Sequence, residues 1–233
     1  MQSRRRLGLT ATPVREDGRE SDLFALVGPV LYAAPWSRLE AEGWIAPVEC
    51  FEVRVPPDWG ATAPGATPLS HREAASSGAK WPAVRAILRR HRGEGALVIG
   101  QYLDQLHDLA ARLEAPLVTG ATPAAERERI FDRFRAGAAP VLVLSRVGNA
   151  ALDLPGASVA IEVSGNFGSR QEEAQRLGRV LRPKGGRRAH FYALVTEGSV
   201  ERDHAARRQR FLVEQGYRYR IVAARDLLGS GRK

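Results

Sequence analysis

Short apolar runs alternate with amphipathic segments along most of the chain. The apolar runs are four to eight residues long, which is typical of buried strands in a parallel sheet. They predict strands at 96–100, 116–119, 141–145, 158–163 and 189–195, and an alternating pattern predicts a further strand at 49–55. Segments with apolar residues at helical spacing predict helices at 80–92, 102–113, 123–136, 169–182 and 199–215. Strands that alternate with helices predict an α/β fold, with an open parallel sheet and helices on both faces.

The first third of the chain lacks this regular pattern. Residues 56–79 are rich in Pro, Gly, Ala and Ser, and they predict a linker or small irregular insertion with one short helix near 69–75. The regular part is therefore preceded by an irregular N-terminal segment.

Open parallel sheets bind ligands beyond the carboxyl ends of their strands. Four positions stand at or just after the carboxyl ends of predicted strands: Gln101, Thr119, Ser145 and Gly165. Any doubly wound protein has such a rim, so these positions predict where a ligand binds and not which one.

The predicted helix at 169–182 carries a polar stripe opposite its apolar face. Gln175, Arg179 and Arg182 recur at i, i+4 and i+7, and Gly178 lies beside them without a side chain. Two guanidiniums and an amide, each one turn apart, suit the phosphates of a nucleoside triphosphate. An amphipathic helix with a solvated basic face explains the periodicity equally well.

Composition favours a polyanionic partner. The formal net charge is +9, and residues 170–220 hold 13 basic against 6 acidic residues. Only Lys80, Lys184 and Lys233 are lysine among 35 basic residues, so genome composition is an alternative source of the arginines. Cys50 is the single cysteine, which excludes an internal disulfide and a cysteine-rich zinc site. No apolar run is long enough to span a membrane, and we expect a cytoplasmic, nucleoid-associated protein.

Motifs that would complete a nucleotide site are missing from the chain. It contains neither a Gly-x-x-x-x-Gly-Lys-Ser/Thr loop nor an acidic cluster after an apolar strand to hold magnesium. The five histidines are scattered without metal-ligand spacing, so no metal site is predicted. The chain thus has arginines suited to a nucleotide site but no phosphate-binding loop. This combination predicts one half of a two-lobed ATPase, in which the other lobe supplies that loop.

Three segments, in chain order, resemble motifs III, V and VI of superfamily 2 helicases. They read LGLTATP at 7–13, SRVGNAALDLP at 145–155 and QRLGRVLR at 175–182. Arg15-Glu16-Asp17 and the block 208–217 add to the likeness, which is strongest to the XPB (xeroderma pigmentosum group B) type of DNA repair helicase in its bacterial form. Outside 56–79, the resemblance covers nearly the whole chain.

The resemblance implies a RecA-like fold and roles for the nucleotide-facing residues. Arg179 and Arg182 would act as arginine fingers, with Gln175 beside them, on ATP bound to another lobe. Gly178 and Asp153 would lie near the nucleotide, Asp153 on the ribose and metal side. ATP with Mg²⁺ would be held mainly by the first lobe.

The resemblance also implies residues that bind DNA or couple it to the nucleotide. Thr10 and Thr12 would couple nucleotide state to the grip on DNA. The strand-separation point would lie near Arg15, Glu16 and Asp17. Ser145 and Arg146 would link the DNA and nucleotide sites.

The implied organisation has three parts. Residues 1–22 would end the first lobe, 23–83 would be a connector with a reduced thumb-like insertion, and 84–228 would form the second RecA-like lobe. The insertion at 56–79 is poor in the basic and aromatic residues that a DNA-gripping thumb needs. Because the chain begins just before motif III, we expect the C-terminal half of a helicase, either an expressed fragment or one product of a split gene.

The expected function is therefore that of one lobe of an ATP-dependent DNA helicase or translocase, inactive by itself. Its expected partners are DNA, the first lobe in cis and a nuclease or repair protein. Two alternatives remain open: a translocase of the same superfamily that moves on duplex DNA, and a non-catalytic module that docks DNA or a partner through its basic surface.

Overall fold

The computed structural model describes residues 6–9, 20–44, 46–57, 67–145, 156–165, 188–214 and 216–229. In this part of the chain, two short helices precede the first strand: α1 (Glu20–Val27) and α2 (Trp36–Ala41). Between them, Leu31 is 92% exposed and Tyr32 is 75% exposed. The buried apolar residues of the described chain begin only at Cys50, so the segment before it lies outside the core.

Seven strands of the described residues form one sheet, and every paired neighbour runs parallel. The strands are β1 (Val48–Val55), β2 (Gly95–Gly100), β3 (Leu117–Val118), β4 (Val141–Ser145), β5 (Ala157–Glu162), β6 (Ala189–Thr196) and β7 (Tyr219–Ala223). Their order in the sheet is β3-β4-β2-β5-β6-β1-β7. The predicted open parallel sheet is confirmed.

Helices after β1 cover both faces of this sheet. They are α3 (His71–Ala75), α4 (Lys80–Arg90), α5 (Leu103–Leu113), α6 (Ala124–Arg135), α7 (Glu201–Glu214) and α8 (Ala224–Gly229). One core cluster packs α6 on the sheet through Leu97, Ile99, Phe131, Phe134 and Leu144. The other packs α4 and α5 on the opposite face through Val84, Ile87, Ala96, Val98 and Leu106. Neighbouring residues of β2 enter different clusters because successive side chains of a strand point to opposite faces.

The sequence pattern predicted most of these elements to within a few residues. The strand predicted at 141–145 is β4, and the helix predicted at 80–92 ends at Arg90. Strand β7 and the helices α1, α2 and α8 were not predicted. The helix predicted at 169–182 lies outside the described residues. Strand β1 comes from the range 23–83, predicted to be a connector, yet it pairs with β6 and β7 inside the sheet.

Because the strands are parallel, all their carboxyl ends lie along one border of the sheet. We call this border the carboxyl edge, and the opposite border the amino edge. Helix α4 runs from the carboxyl edge, where Lys80 contacts Val163, to the amino edge, where His91 contacts Tyr192. Among the helices of the described residues, none combines the length and apolar character needed to cross a membrane.

Candidate functional site

Ser145 is the one predicted site residue that falls within the described part of the chain. It ends β4 at the carboxyl edge, is 4% exposed and aligns with Gly100 of β2. The other predicted site residues lie outside the described residues: Thr10, Thr12, Arg15, Glu16, Asp17, Arg146, Asp153, Gln175, Gly178, Arg179 and Arg182. Their roles stay predictions.

The predicted rim positions do follow strands at the carboxyl edge. Gln101, Thr119 and Ser145 stand at or directly after the ends of β2, β3 and β4, and Gly165 follows β5 by three residues. The chain passes from Ser145 into the motif V segment and from Gly165 into the segment that contains motif VI. The described edge therefore holds the chain positions that lead into both predicted motifs.

A partly buried chain of hydrogen bonds joins the ends of β2 and β5. The Gln101 backbone N–H donates to Ser164 Oγ at 2.8 Å, and that hydroxyl donates to Gln105 Oε1 at 2.7 Å. Gln105 Nε2 then donates to the Ala75 carbonyl oxygen at 2.7 Å. Gly100 permits this approach, because a Cβ there would lie 2.9 Å from Ser164 Oγ. The network fixes the position from which the chain enters the motif VI segment.

A buried ion pair stands beside this network. Lys80 Nζ donates to the Glu201 carboxylate at 2.8 and 2.9 Å and to the Val163 carbonyl oxygen at 2.7 Å. Glu201 Oε2 also accepts from the Thr196 backbone N–H at 2.9 Å. The side chains of Lys80 and Glu201 are 2% and 3% exposed. The pair connects the start of α4, the start of α7 and the ends of β5 and β6.

Sequence reasoning assigned Lys80 only to the start of a helix and missed this pair. One signal was available: Lys80 is one of three lysines in a chain with 35 basic residues. A compact ammonium fits a small buried site that a guanidinium does not.

Tyr102 is a hydrogen-bonding group at the same edge. Its ring lies under the Arg72 guanidinium, 5.8 Å from the ring centroid. Partial burial and the nearby Glu201 carboxylate raise the pKa of the Tyr102 phenol. The phenol therefore stays protonated at neutral pH and can donate a hydrogen bond.

An open cleft of about 530 Å³ lies at the end of β3, between α5 and the start of α6. The turn above it is closed by Thr119, whose backbone N–H donates to Thr122 Oγ1 at 2.9 Å. Glu114 and Glu126 both line the cleft. Because two carboxylates repel an anion, this cleft is a poor site for a phosphate.

Comparison with known proteins agrees with this architecture. The sequence profile of the ERCC3/RAD25/XPB C-terminal helicase family matches residues 39–230. Among solved structures, the C-terminal domain of the DEAD-box protein Dbp5 superimposes with a TM-score of 0.58 at 16% identity, covering 77% of this chain and 92% of that domain. Dbp5 of S. cerevisiae bound to RNA and ADP BeF3 gives a TM-score of 0.61 at 12% identity, over 93% of this chain and 54% of that one. At such identities these structures support the RecA-like fold alone.

Curated relatives are much more similar in sequence. The DNA 3'-5' helicase XPB of Kineococcus radiotolerans is 57% identical over 98% of this chain, and that of Mycobacterium tuberculosis is 54% identical over 98%. The chain spans 42% of the length of each of these relatives.

Proposed function

The chain belongs to the ERCC3/RAD25/XPB C-terminal helicase family, and on that basis we propose that it forms the second RecA-like lobe of an ATP-dependent DNA helicase. One observation carries the proposal: the family match spans 39–230, and the parallel sheet presents at its carboxyl edge the positions that lead into motifs V and VI. The relatives' names give the expected reaction, unwinding of DNA in the 3′-to-5′ direction.

In this proposal the motif VI arginines complete a site whose phosphate cradle belongs to another lobe. Arg179 and Arg182, with Gln175, meet the charge that develops on the transferred phosphoryl group of ATP. Positioned arginines of this kind contribute roughly three to five orders of magnitude in rate. Gly178 allows close approach to the helix backbone, and Asp153 lies on the ribose and metal side.

The described carboxyl edge supports this division of labour. Glu201 is a buried carboxylate at this edge, and Lys80 neutralises it while the Thr196 N–H occupies one of its oxygens. Glu201 is therefore not available to bind Mg²⁺, and in this proposal Mg–ATP is held mainly by the first lobe, as the resemblance implies.

The hydrogen-bonded ends of β2 and β5 fix the point at which the chain enters the segment that carries the proposed arginines. When the two lobes close on ATP, the arginines gain an ionic partner, and hydrolysis with phosphate release removes it. The closed state then loses its differential stabilisation, and the lobes separate. Rigid strand ends matter because catalysis requires precise positioning. If the ends of β2 and β5 were mobile, the guanidiniums would not be held at contact distance from the phosphoryl group.

In this proposal the protein contacts the sugar–phosphate backbone of DNA. The net charge of +9 favours a polyanion irrespective of its sequence. Thr10, Thr12, Arg15, Glu16, Asp17, Ser145 and Arg146 are the proposed contacts and coupling residues. Binding should weaken steeply as salt rises, because contacts to phosphates release counterions.

The experiment that tests this division uses the purified 233-residue chain. We expect weak, salt-sensitive binding to single-stranded and forked DNA by fluorescence anisotropy, and no ATP turnover with or without DNA. Robust ATP hydrolysis by the chain alone would sink the proposal, because the site would then be complete within it.

A further inference from the structure

A cluster of metal-binding residue types lies at the amino edge, at the border opposite the Lys80–Glu201 pair. His91 caps the C-terminus of α4, Glu94 follows in the turn before β2, and His190 is the second residue of β6. Each offers one ligand atom, and these atoms all lie within 4.8 Å of one another. His190 is far from the other two residues in the chain, so no local sequence motif predicts the cluster.

His91 is the buried member, with a side chain that is 6% exposed. Its Nδ1 lies 3.1 Å from Glu94 Oε1, and its Nε2 lies 2.8 Å from the Tyr192 hydroxyl. A hydroxyl both donates and accepts, so either imidazole tautomer keeps the bond at Nε2. The tautomer with its proton on Nε2 leaves the Nδ1 lone pair free for a metal ion, with Tyr192 as its supporting partner.

The Tyr192 ring that supports His91 is itself held in place. It stacks on the Phe51 ring at a centroid distance of 4.7 Å and an interplanar angle of 11°. Its side chain is 1% exposed. The orientation of the His91 imidazole is therefore set by a packed aromatic pair.

Glu94 is held in a similar way. Its Oε2 accepts from Ser158 Oγ at 2.8 Å, which turns Oε1 toward His91. The side chain is 26% exposed, so the cluster has a path to solvent. A carboxylate with one oxygen bound by a hydroxyl and the other facing an imidazole is the arrangement that a metal ligand of this type needs.

His190 has an unmet requirement. Its Nδ1 is buried without a hydrogen-bond partner among the described residues, and its ring centroid lies 4.4 Å from that of His91. A buried polar atom left without a hydrogen-bond partner destabilises the folded state. Glu49 does not meet this need, because it already accepts from Arg188 Nη1 at 2.6 Å and lies 3.9 Å from the other ring nitrogen of His190.

We propose that His91, Glu94 and His190 form a binding site for a zinc-type divalent cation at the amino edge. Two imidazoles and one carboxylate form a ligand set that zinc accepts, with a fourth position open to water. The ion would join the end of α4 to the start of β6. Since it lies at the border opposite the carboxyl edge, its role is to hold the lobe together and not to act on ATP.

The test is a titration of the intact chain with Zn²⁺ as the probe. We expect one Zn²⁺ bound per chain by calorimetry, retained on dialysis against zinc-free buffer, with a rise in melting temperature. His190→Ala and Glu94→Gln should each weaken binding by roughly 100-fold, since each removes or neutralises a ligand. His107→Ala, an exposed histidine on α5, is the matched control and should bind like the unmodified chain.

Co²⁺ provides a second readout that does not depend on a variant folding. We expect a visible absorption spectrum typical of four-coordinate nitrogen and oxygen ligands, displaced by one equivalent of Zn²⁺. Three results would overturn the proposal: no stoichiometric Zn²⁺ binding, equal affinity in Glu94→Gln and the unmodified chain, or loss of affinity in His107→Ala. The first means that His91 and Glu94 form only a hydrogen-bonded pair, and the others mean adventitious binding to surface groups.

Discussion

Lys80 Nζ lies 2.8 Å from Glu201 Oε1, and the two side chains are almost fully shielded from water although 121 positions separate them in the chain. The pair closes the carboxyl edge between β5 and β6. Its energetic role follows from its burial, because neither charge can be hydrated once its partner is removed.

We predict that Lys80→Met destabilises the chain by about 3–5 kcal/mol, because it leaves Glu201 charged and buried. Denaturant unfolding measures the loss. The matched control is Arg38→Met in the exposed pair Arg38–Glu42, which are 60% and 42% exposed. That change should cost less than about 1 kcal/mol. Equal losses of unfolding free energy in the two variants would show that burial does not determine how much the Lys80–Glu201 pair contributes to stability.

A second prediction concerns Gly95 at the start of β2. A Cβ at this position would overlap the backbone carbonyl oxygen of Gly156, which cannot rotate away as a side chain can. We expect Gly95→Ala to cost about 1–3 kcal/mol, as overpacking does in a buried core. At Gly229 the same substitution meets nothing within 4 Å, and Gly229→Ala should change stability by less than about 0.5 kcal/mol. A Gly95→Ala variant as stable as Gly229→Ala would refute the close approach of β2 and Gly156.

The Ser164 hydroxyl provides a third prediction. Ser164→Ala leaves the Gln101 N–H and Gln105 Oε1 without the partner that the buried Ser164 hydroxyl provides, in a region that is partly shielded from water. We expect a loss of about 1–3 kcal/mol and faster hydrogen exchange at Gln101. Ser76→Ala is the control, since the exposed Ser76 hydroxyl donates to the Arg72 carbonyl and water can replace it. Unchanged exchange at Gln101 would count against the network.

A fourth prediction concerns the pH dependence of α3, which begins with a capping box. Ser70 Oγ accepts from the Glu73 N–H, and Glu73 Oε2 accepts from the Ser70 N–H at 2.8 Å. Hydrogen bonds from the Ser70 side chain and backbone lower the pKa of Glu73 below its ordinary value of 4.5. A depressed pKa means that the box stabilises the folded state above pH 4.5 and that this contribution is lost as the pH falls through the lower, folded value.

The measurement is amide exchange of α3 by NMR, followed from neutral pH to below the ordinary pKa of glutamate. We expect protection to fall with pH in the unmodified chain. Glu73→Gln keeps an acceptor for the Ser70 N–H but does not titrate, so its protection should not follow the same curve. The same acid-induced loss in Glu73→Gln would assign the effect to another group.

Local patterns predicted the elements well. A helix with one buried face has apolar residues at helical spacing, and a buried strand is a short apolar run, so both are visible within a few residues of sequence. Strand β4 and helix α4 are examples. Leu103 continues the apolar spacing of the helix predicted at 102–113, yet it is 50% exposed. It lies in the first turn, at the carboxyl edge, where the sheet no longer covers the helix. Leu109 is buried instead.

Partners far apart in the chain could not be predicted in this way. The strand at 49–55 was expected from its alternation, but nothing in it specifies pairing with β6 and β7. No site was predicted for any histidine, and His91 is nevertheless buried against Tyr192 and Glu94. Its short spacing to Glu94 was visible in the sequence, whereas the approach of His190 required the fold.

The most direct test of the proposed function is the rate of DNA-stimulated ATP hydrolysis by a chimera. In it this chain replaces the matching 42% of the Kineococcus radiotolerans relative, which supplies the rest of the protein. We predict that the chimera hydrolyses ATP and that Arg179→Ala or Arg182→Ala lowers the turnover number by roughly a thousandfold or more. Arg133→Ala, an exposed arginine in the last turn of α6, should have no effect. Full activity of both motif VI variants, or an inactive unmodified chimera, would contradict the assignment of this chain as the arginine-supplying lobe.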